Sequence, residues 1–316
     1  MNKLALMFPG QGSQKIGMGK ELYQSFTEAK ETFQEIDDSL KQNLSLLMFE
    51  GDFNELTQTE NTQPALMAVS IAAIRVIEMQ SKKNISEFAN YVCGHSLGEY
   101  SALAAARAMT ISDCAKILRI RGNAMRDAGK NSNGAMAAII GVNIDKAKEI
   151  AEKSSQGNIC EIANDNSIGQ IVLSGDNEAI DRAINIAKEL GAKIAVKLPV
   201  SGAFHSSLIK SAEPDLRDGL NSITILKPTV DLIANVTAKS TNDPVEIKDL
   251  LLKQLTSVVR WRESMQYLVD SKNFNIAEIG SGKVLSGLAK RSDRNFVINS
   301  VETPNQISDF IEQNLV

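Results

Sequence analysis

The sequence predicts an α/β protein in which a main domain is interrupted by a smaller, inserted one. Three observations predict it. Tyr91-Val92-Cys93, followed by Gly94-His95-Ser96-Leu97-Gly98, reads as a strand that ends in a sharp turn and runs straight into a helix. Residues 131–198 read strand (134–141), helix (145–154), strand (159–163), strand (170–174), helix (177–190), strand (193–198), the βαββαβ order of a ferredoxin-like split unit. On either side of that unit, strand-like apolar runs alternate with amphipathic helical stretches. The expected division is 1–130 and 199–316 for the main domain and 131–198 for the small one, with hinges near 130 and 199.

Bulk properties narrow the function classes. At 316 residues, with 43% hydrophobic and 23% charged residues, the chain has the composition of a soluble globular protein. A net charge of −4 gives no reason to expect nucleic acid or an anionic membrane as partner. The opening apolar run is broken by Pro9 and Gly10 and is too short for a signal-peptide core. No apolar run reads as long enough to span a bilayer. Cys93, Cys114 and Cys160 are widely spaced, and His95 and His205 are the only histidines, so no metal site is expected and reduced thiols in the cytoplasm are.

The first strand, Lys3 to Phe8, leads into the loop Pro9-Gly10-Gln11-Gly12-Ser13-Gln14. A phosphate loop fails there, because Met18 stands where the lysine belongs. A dinucleotide fingerprint fails too, with Lys15 at the third glycine position. What remains is either a plain turn or a ligand loop at a strand's C-terminal end, carrying the amide donor Gln11. Residues 20–58 read as amphipathic helix, and Thr62-Gln63-Pro64 as the start of a helix to about Met79, with proline in its first turn.

Gly94-x-Ser96-x-Gly98 is a nucleophile-elbow pattern. The turn exposes the Ser96 hydroxyl, the helix aims its dipole at developing negative charge, and the Leu97 N–H points where an oxyanion forms. Side chains at 94 and 98 would collide, which explains both glycines. The small residues from Ser101 to Met109 suit a helix buried all round. The next helix, Ser112 to Ala128 with Ser112 or Asp113 as its cap, carries Arg121 in the middle of an apolar stripe. Such a guanidinium meets either a core carboxylate or a substrate anion, and no motif places a carboxylate near it.

Within the small unit, Asn164-Asp165-Asn166-Ser167-Ile168-Gly169 reads as its turn. Pro199 to Ser207 returns to the main domain, with His205 at a turn into a helix. Ser96 needs a base. His95 directly precedes it, so its ring should point away, and elimination leaves His205. Strands are expected at Val230–Asn235, Ile276–Ile279 and Phe296–Val301, with Gly280 to Lys283 opening a helix.

Taken together, Phe8-Pro-Gly-Gln-Gly-Ser-Gln14, Thr62-Gln-Pro-Ala65, Gly94-His-Ser-Leu-Gly-Glu-Tyr-Ser101, Arg121-Gly122, Gly134 to Gly141, Pro199-Val-Ser201 with Phe204-His205, Gln254-Leu255 and Gly282-Lys-Val-Leu285 mark a resemblance over nearly the whole chain. The chain resembles the malonyl-CoA:acyl-carrier-protein transacylases of bacterial fatty-acid synthesis. The resemblance implies an α/β-hydrolase-like main domain, with the active site in the cleft to the small domain. It implies that Ser96 is acylated, His205 is its base, Gln11 and the Leu97 N–H form the oxyanion hole, and Arg121 grips the malonyl carboxylate. Gln63, Met125 and Phe204 fall among the substrate-binding positions, and the Gln254 carbonyl takes the place of a triad acid in orienting the histidine.

Ala203 and Ser281 stand where the family often has proline, which predicts looser geometry there. Malonyl-CoA and acyl carrier protein are the implied partners, with no cofactor, a monomeric enzyme and ping-pong kinetics. The carrier in this pathway is strongly acidic, and Lys283, Lys290, Arg291 and Arg294 form a basic group to dock it, or a solvated face. A serine thioesterase on the same elbow and a non-catalytic carrier-binding subunit are the rival functions; Arg121 and the Gln11 loop argue against the first, and intact Ser96, His205 and Arg121 against the second.

Overall fold

A computed structural model describes residues 4–200 and 202–316 of the chain. Lys3 of the expected first strand and Ser201 of the histidine motif lie outside them. The described strands form two sheets. In the larger, the order is β10 (Val297–Val301), β9 (Asn275–Ile279), β1 (Leu4–Phe8), β2 (Ala89–Gly94), β7 (Asp231–Ile233), β8 (Ser240–Thr241). The first five run parallel, and only β8, a strand the sequence did not signal, pairs antiparallel.

β1 shows why this sheet is central. All five of its residues are buried, as expected of a parallel strand covered on both faces. Leu4, Leu6 and Phe8 feed the core under helices 59–81, 98–105 and 111–131, while Ala5 and Met7 feed a second core with Trp261, Met265 and Leu288. Pairing of Phe8 with Gly94 brings the ends of β1 and β2 together. The glycine loop and the elbow therefore share the C-terminal edge of the sheet, where α/β folds bind ligands.

Several helix boundaries differ from expectation. Residues 20–58 form four helices: Lys20–Ser25, Thr27–Leu40, Leu44–Glu50 and Phe53–Thr57. The helix Thr59–Ser81 starts earlier than Thr62, because the Gln58 carbonyl accepts from the N–H groups of Asn61 and Thr62. Pro64 thus lies inside it, at the cost of one backbone bond. By length and composition this helix is apolar enough to cross a membrane, contrary to the sequence reading, but 83% of its most apolar window is buried within the protein. The elbow helix Gly98–Ala105 is buried at every position and stops short of Met109. The arginine helix Ile111–Asn131 is capped by Thr110, whose hydroxyl accepts from the Asp113 N–H at 3.0 Å, rather than by Ser112 or Asp113.

The smaller sheet has the order β4 (Cys160–Ser167), β5 (Gln170–Asp176), β3 (Gly134–Ile140), β6 (Ile194–Lys197), every pair antiparallel. Helices Ile144–Ser155 and Asn177–Glu189 bury Ala147, Ile150, Ile180 and Ala183 with Ala137, Ile139 and Leu173 of the sheet. Alternate residues Met136 and Val172 instead join the large core, so the other face of this sheet packs toward the larger one.

One sequence expectation fails here in an informative way. Asn164 to Ser167 is not a turn but the buried end of β4, and only Ile168-Gly169 turns. The polar run stays extended because it has partners elsewhere. Asp165 accepts from Arg262 at 2.8 Å, its N–H bonds the Val259 carbonyl at 3.0 Å, and the Val259 N–H bonds the Ala163 carbonyl at 2.9 Å.

Candidate active site

Ser96 sits at a backbone φ of 54°, the left-handed region that a β-substituted residue adopts only when its surroundings enforce it. The enforcement is steric. A Cβ on Gly94 would lie 2.0 Å from the Gly98 carbonyl carbon, and one on Gly98 would lie 2.2 Å from the Phe8 carbonyl oxygen. Asn235 ties the turn from outside: its Oδ1 accepts from the Ser96 N–H at 2.8 Å and its Nδ2 donates to the Gly94 carbonyl at 2.7 Å.

The Ser96 hydroxyl lies 2.8 Å from His205 Nε2, and His205 Nδ1 lies 2.9 Å from the Gln254 carbonyl. A carbonyl only accepts, so Nδ1 carries the proton and Nε2 is free to accept from Ser96. Burial, reinforced by the Arg121 charge, pushes the imidazole down to about 3, so it is neutral at pH 7. His205 also has a positive φ, 56°, and the turn is closed by a 2.6 Å bond from Ser206 Oγ to the Ala203 carbonyl. His95 points away, with Nε2 2.8 Å from Asn166 Oδ1 and its ring against Trp261.

Arg121 is 1% exposed. Its Nη1 donates to Gln63 Oε1 at 2.7 Å, and its Nη2 to both Ser96 Oγ and Gln254 Oε1 at 3.0 Å. The guanidinium also lies over the Tyr100 ring, 5.4 Å from its centroid. Its Nε has no protein acceptor among the described residues, and no carboxylate is within ion-pair distance. One buried carboxylate does share its surroundings, contrary to the sequence expectation. Glu99 follows the elbow directly; burial pushes its carboxyl up to about 7 against the opposing pull of Asn235, Gln254 and Arg121.

A hydrogen-bonded line joins the glycine loop to the arginine. The Thr59 hydroxyl donates to Gln11 Oε1 and accepts from Gln63 Nε2, both at 3.0 Å, and Gln63 Nε2 also reaches Met125 Sδ at 3.5 Å. Among the described residues, neither the Leu97 N–H nor the Gln11 side-chain NH2 has a protein acceptor. Phe204 is buried in the core that also holds Met125. A cavity of about 880 Å³ opens beside His205, with Ser207, Arg260, Lys148 and Cys160 in its lining. A second, of about 470 Å³, opens beside Gln11 and Thr59.

Ser96, His205, Gln254, Arg121 and Gln63 are thus brought into direct contact, with Met125 one bond further out and Gln11 two, through Thr59. The basic group is elsewhere. Lys283, Lys290, Arg291 and Arg294 are exposed on and around the helix Val284–Ser292, and Arg291 Nη1 bonds Gln170 Oε1 at the start of β5. Ser281 does not loosen its loop as expected: its hydroxyl bonds the Ser13 carbonyl at 2.9 Å and Glu302 at 3.2 Å. Ala203 is fully buried against Gly134. No site role was read from the sequence for Glu99, Asn166 or Asn235. For Glu99 a signal existed, since a carboxylate on a helix of small residues buried all round has no solvent-facing side to occupy.

Residues 6–294 match the family model described as acyl transferase domain. A malonyl CoA-acyl carrier protein transacylase of Bacillus subtilis (strain 168) is 44% identical over 308 residues, spanning 97% of this chain and 96% of its own. The chain belongs to the malonyl CoA-acyl carrier protein transacylase family. A second member, from Staphylococcus aureus (strain MRSA252), is 39% identical over 313 residues and 99% of both chains. Among solved structures, an acyl-carrier-protein S-malonyltransferase from Bartonella henselae superposes with a TM-score of 0.96 at 45% identity, over 99% of this chain and 100% of that one. Another transacylase of the family, solved in complex with a type II polyketide acyl carrier protein, superposes at 0.94 with 35% identity, over 99% of this chain and 100% of that one.

Proposed function

We propose that this chain transfers a malonyl group from malonyl-CoA to the phosphopantetheine thiol of an acyl carrier protein, by way of a malonyl ester on Ser96. The observation that carries the mechanism is the single serine oxygen held 2.8 Å from a neutral imidazole and 3.0 Å from a buried guanidinium. His205 Nε2 takes the Ser96 proton as the oxygen attacks the thioester carbonyl. The Leu97 N–H and Gln11 receive the oxyanion. Collapse breaks the carbon–sulfur bond, and CoA leaves as the thiol with the proton from His205. The carrier's thiol then repeats the steps in reverse and restores the serine. The malonyl carboxylate pairs with Arg121, whose planar fork suits it and whose present partners are all neutral. Gln63, Met125 and Phe204 enclose the acyl group. The reaction as written calls on no cofactor.

The strand orders support an α/β-hydrolase-like main domain, 1–130 and 199–316, and a ferredoxin-like insert, 131–198, with the substrate arm lying between them. Lys283, Lys290, Arg291 and Arg294 are the docking group for the acidic carrier. The three free, buried cysteines suit a reducing cytoplasm, and a monomer suffices for the reaction because every catalytic group comes from one chain.

Ser96 and His205 act as a unit in this reading. Ser96→Ala and His205→Ala should each lower malonyl transfer on the order of 10⁴-fold or more, and the double variant should be little worse than either. Additive losses in steady-state transfer assays would count against the pairing.

A further inference from the structure

The mechanism above does not use the buried acid beside its reacting groups. Glu99 is fully buried, and its Oε2 accepts two hydrogen bonds: from Gln254 Nε2 at 2.8 Å and from the Asn235 N–H at 3.0 Å. Each donor belongs to a residue that holds reacting groups. Gln254 bonds His205 through its main-chain carbonyl, Arg121 through Oε1, and the Ser96 carbonyl through Nε2 at 2.9 Å. Asn235 bonds the Ser96 N–H and the Gly94 carbonyl. With Nε2 shared between Glu99 and the Ser96 carbonyl, the amide of Gln254 has only one orientation left, and its Oε1 must face the arginine.

We propose that Glu99 is a positioning residue for acyl transfer, a single carboxylate oxygen that sets nucleophile, base and substrate-gripping arginine together through Asn235 and Gln254. It is not a triad acid, since the Gln254 carbonyl holds the histidine and Glu99 holds Gln254. A triad acid bonds the imidazole directly and stabilises its cation; Glu99 lies one residue further away and fixes the groups that fix Ser96, His205 and Arg121. Its role is the location of an acceptor and not its charge. An acceptor oxygen survives protonation of the other oxygen, and Oε1 has no protein partner among the described residues.

The inference rests on the reading of Ser96 and His205 as nucleophile and base, and the test separates the two. Glu99→Gln keeps an oxygen where Oε2 stands and puts its NH2 where Oε1 is unpartnered. Glu99→Asp keeps the charge and withdraws the oxygen by one methylene. Glu99→Ala removes both. Single-turnover malonylation at saturating malonyl-CoA, followed by quenched-flow and intact mass, gives the fraction of competent sites as amplitude and the rate constant per competent site. Glu99→Gln should stay within about tenfold of wild type, while Glu99→Asp and Glu99→Ala fall about 10²-fold, the effect of misplacing reacting groups by about 1 Å. A faster Glu99→Asp than Glu99→Gln would overturn the proposal by showing that charge matters. So would wild-type rate constants in all variants, with only amplitude or melting temperature changed. If Glu99→Ala does not fold, the order of Asp and Gln alone decides. A wild type that never acylates Ser96 would sink the underlying reading instead.

Discussion

Arg121 carries its charge into the interior of the protein, 1% exposed. A guanidinium this deeply buried is disfavoured unless it is met by an anion, and its four-way environment of Gln63, Gln254, Ser96 and Tyr100 supplies hydrogen bonds but no ion pair. Burial accordingly lowers its own proton affinity. In the proposed function a malonyl carboxylate completes the pair, whereas an acetyl group leaves the charge uncompensated. Arg121→Ala should therefore lose malonyl transfer by about 10³-fold or more while keeping or gaining acetyl transfer, and Arg121→Lys should recover malonyl use only in part. The measurement is kcat/KM for both donors in the three proteins. A parallel fall for both would make the arginine a structural residue. The meeting of Ser96 and His205 was legible in the sequence because a turn pattern marks one and the scarcity of histidine marks the other. The partners of Glu99 and Asn235 were not: they lie 155 and 139 residues away along the chain, and no local pattern encodes such a contact.

At the scale of elements, the elbow works because three pieces of backbone meet without side chains between them. Gly94 closes on Gly98, and Gly98 on the end of β1. Gly94→Ala would force these apart and move Ser96 from both His205 and Asn235. Destabilisation of about 1–3 kcal/mol is expected, read from the denaturation midpoint, together with loss of Ser96 acylation. An unchanged midpoint and rate would show that the close approach is not required. The six elements of the small unit were read correctly in type and order. The end of β4 was misread because Asn-Asp-Asn-Ser is turn chemistry locally, and only the distant Arg262, Val259 and His95 make it a strand. Helix starts shifted by one to three residues for a similar reason: the carbonyl or hydroxyl that accepts the first N–H groups decides them, as at Gln58 and Thr110.

For the whole molecule, the regions carrying the two sheets are joined by the His95–Asn166 contact near the elbow and by Arg291 at the start of β5. The carrier protein is much larger than CoA, so surface charge should affect only the second half-reaction. Arg291 is engaged with Gln170, so Lys290→Glu with Arg294→Glu is the cleaner reversal. It should weaken the use of carrier protein about tenfold or more and steepen no dependence on malonyl-CoA, as expected when complementary charge steers a partner. Equal losses in both half-reactions would place docking elsewhere.

The most direct measurement is intact mass spectrometry of the protein mixed with malonyl-CoA and then with holo acyl carrier protein. One malonyl group should appear on Ser96 and then pass to the carrier, returning the enzyme to its starting mass, with no label in Ser96→Ala. A label that persists in Ser96→Ala, or an acyl-enzyme that decays to free malonate without charging the carrier, would contradict transfer through Ser96.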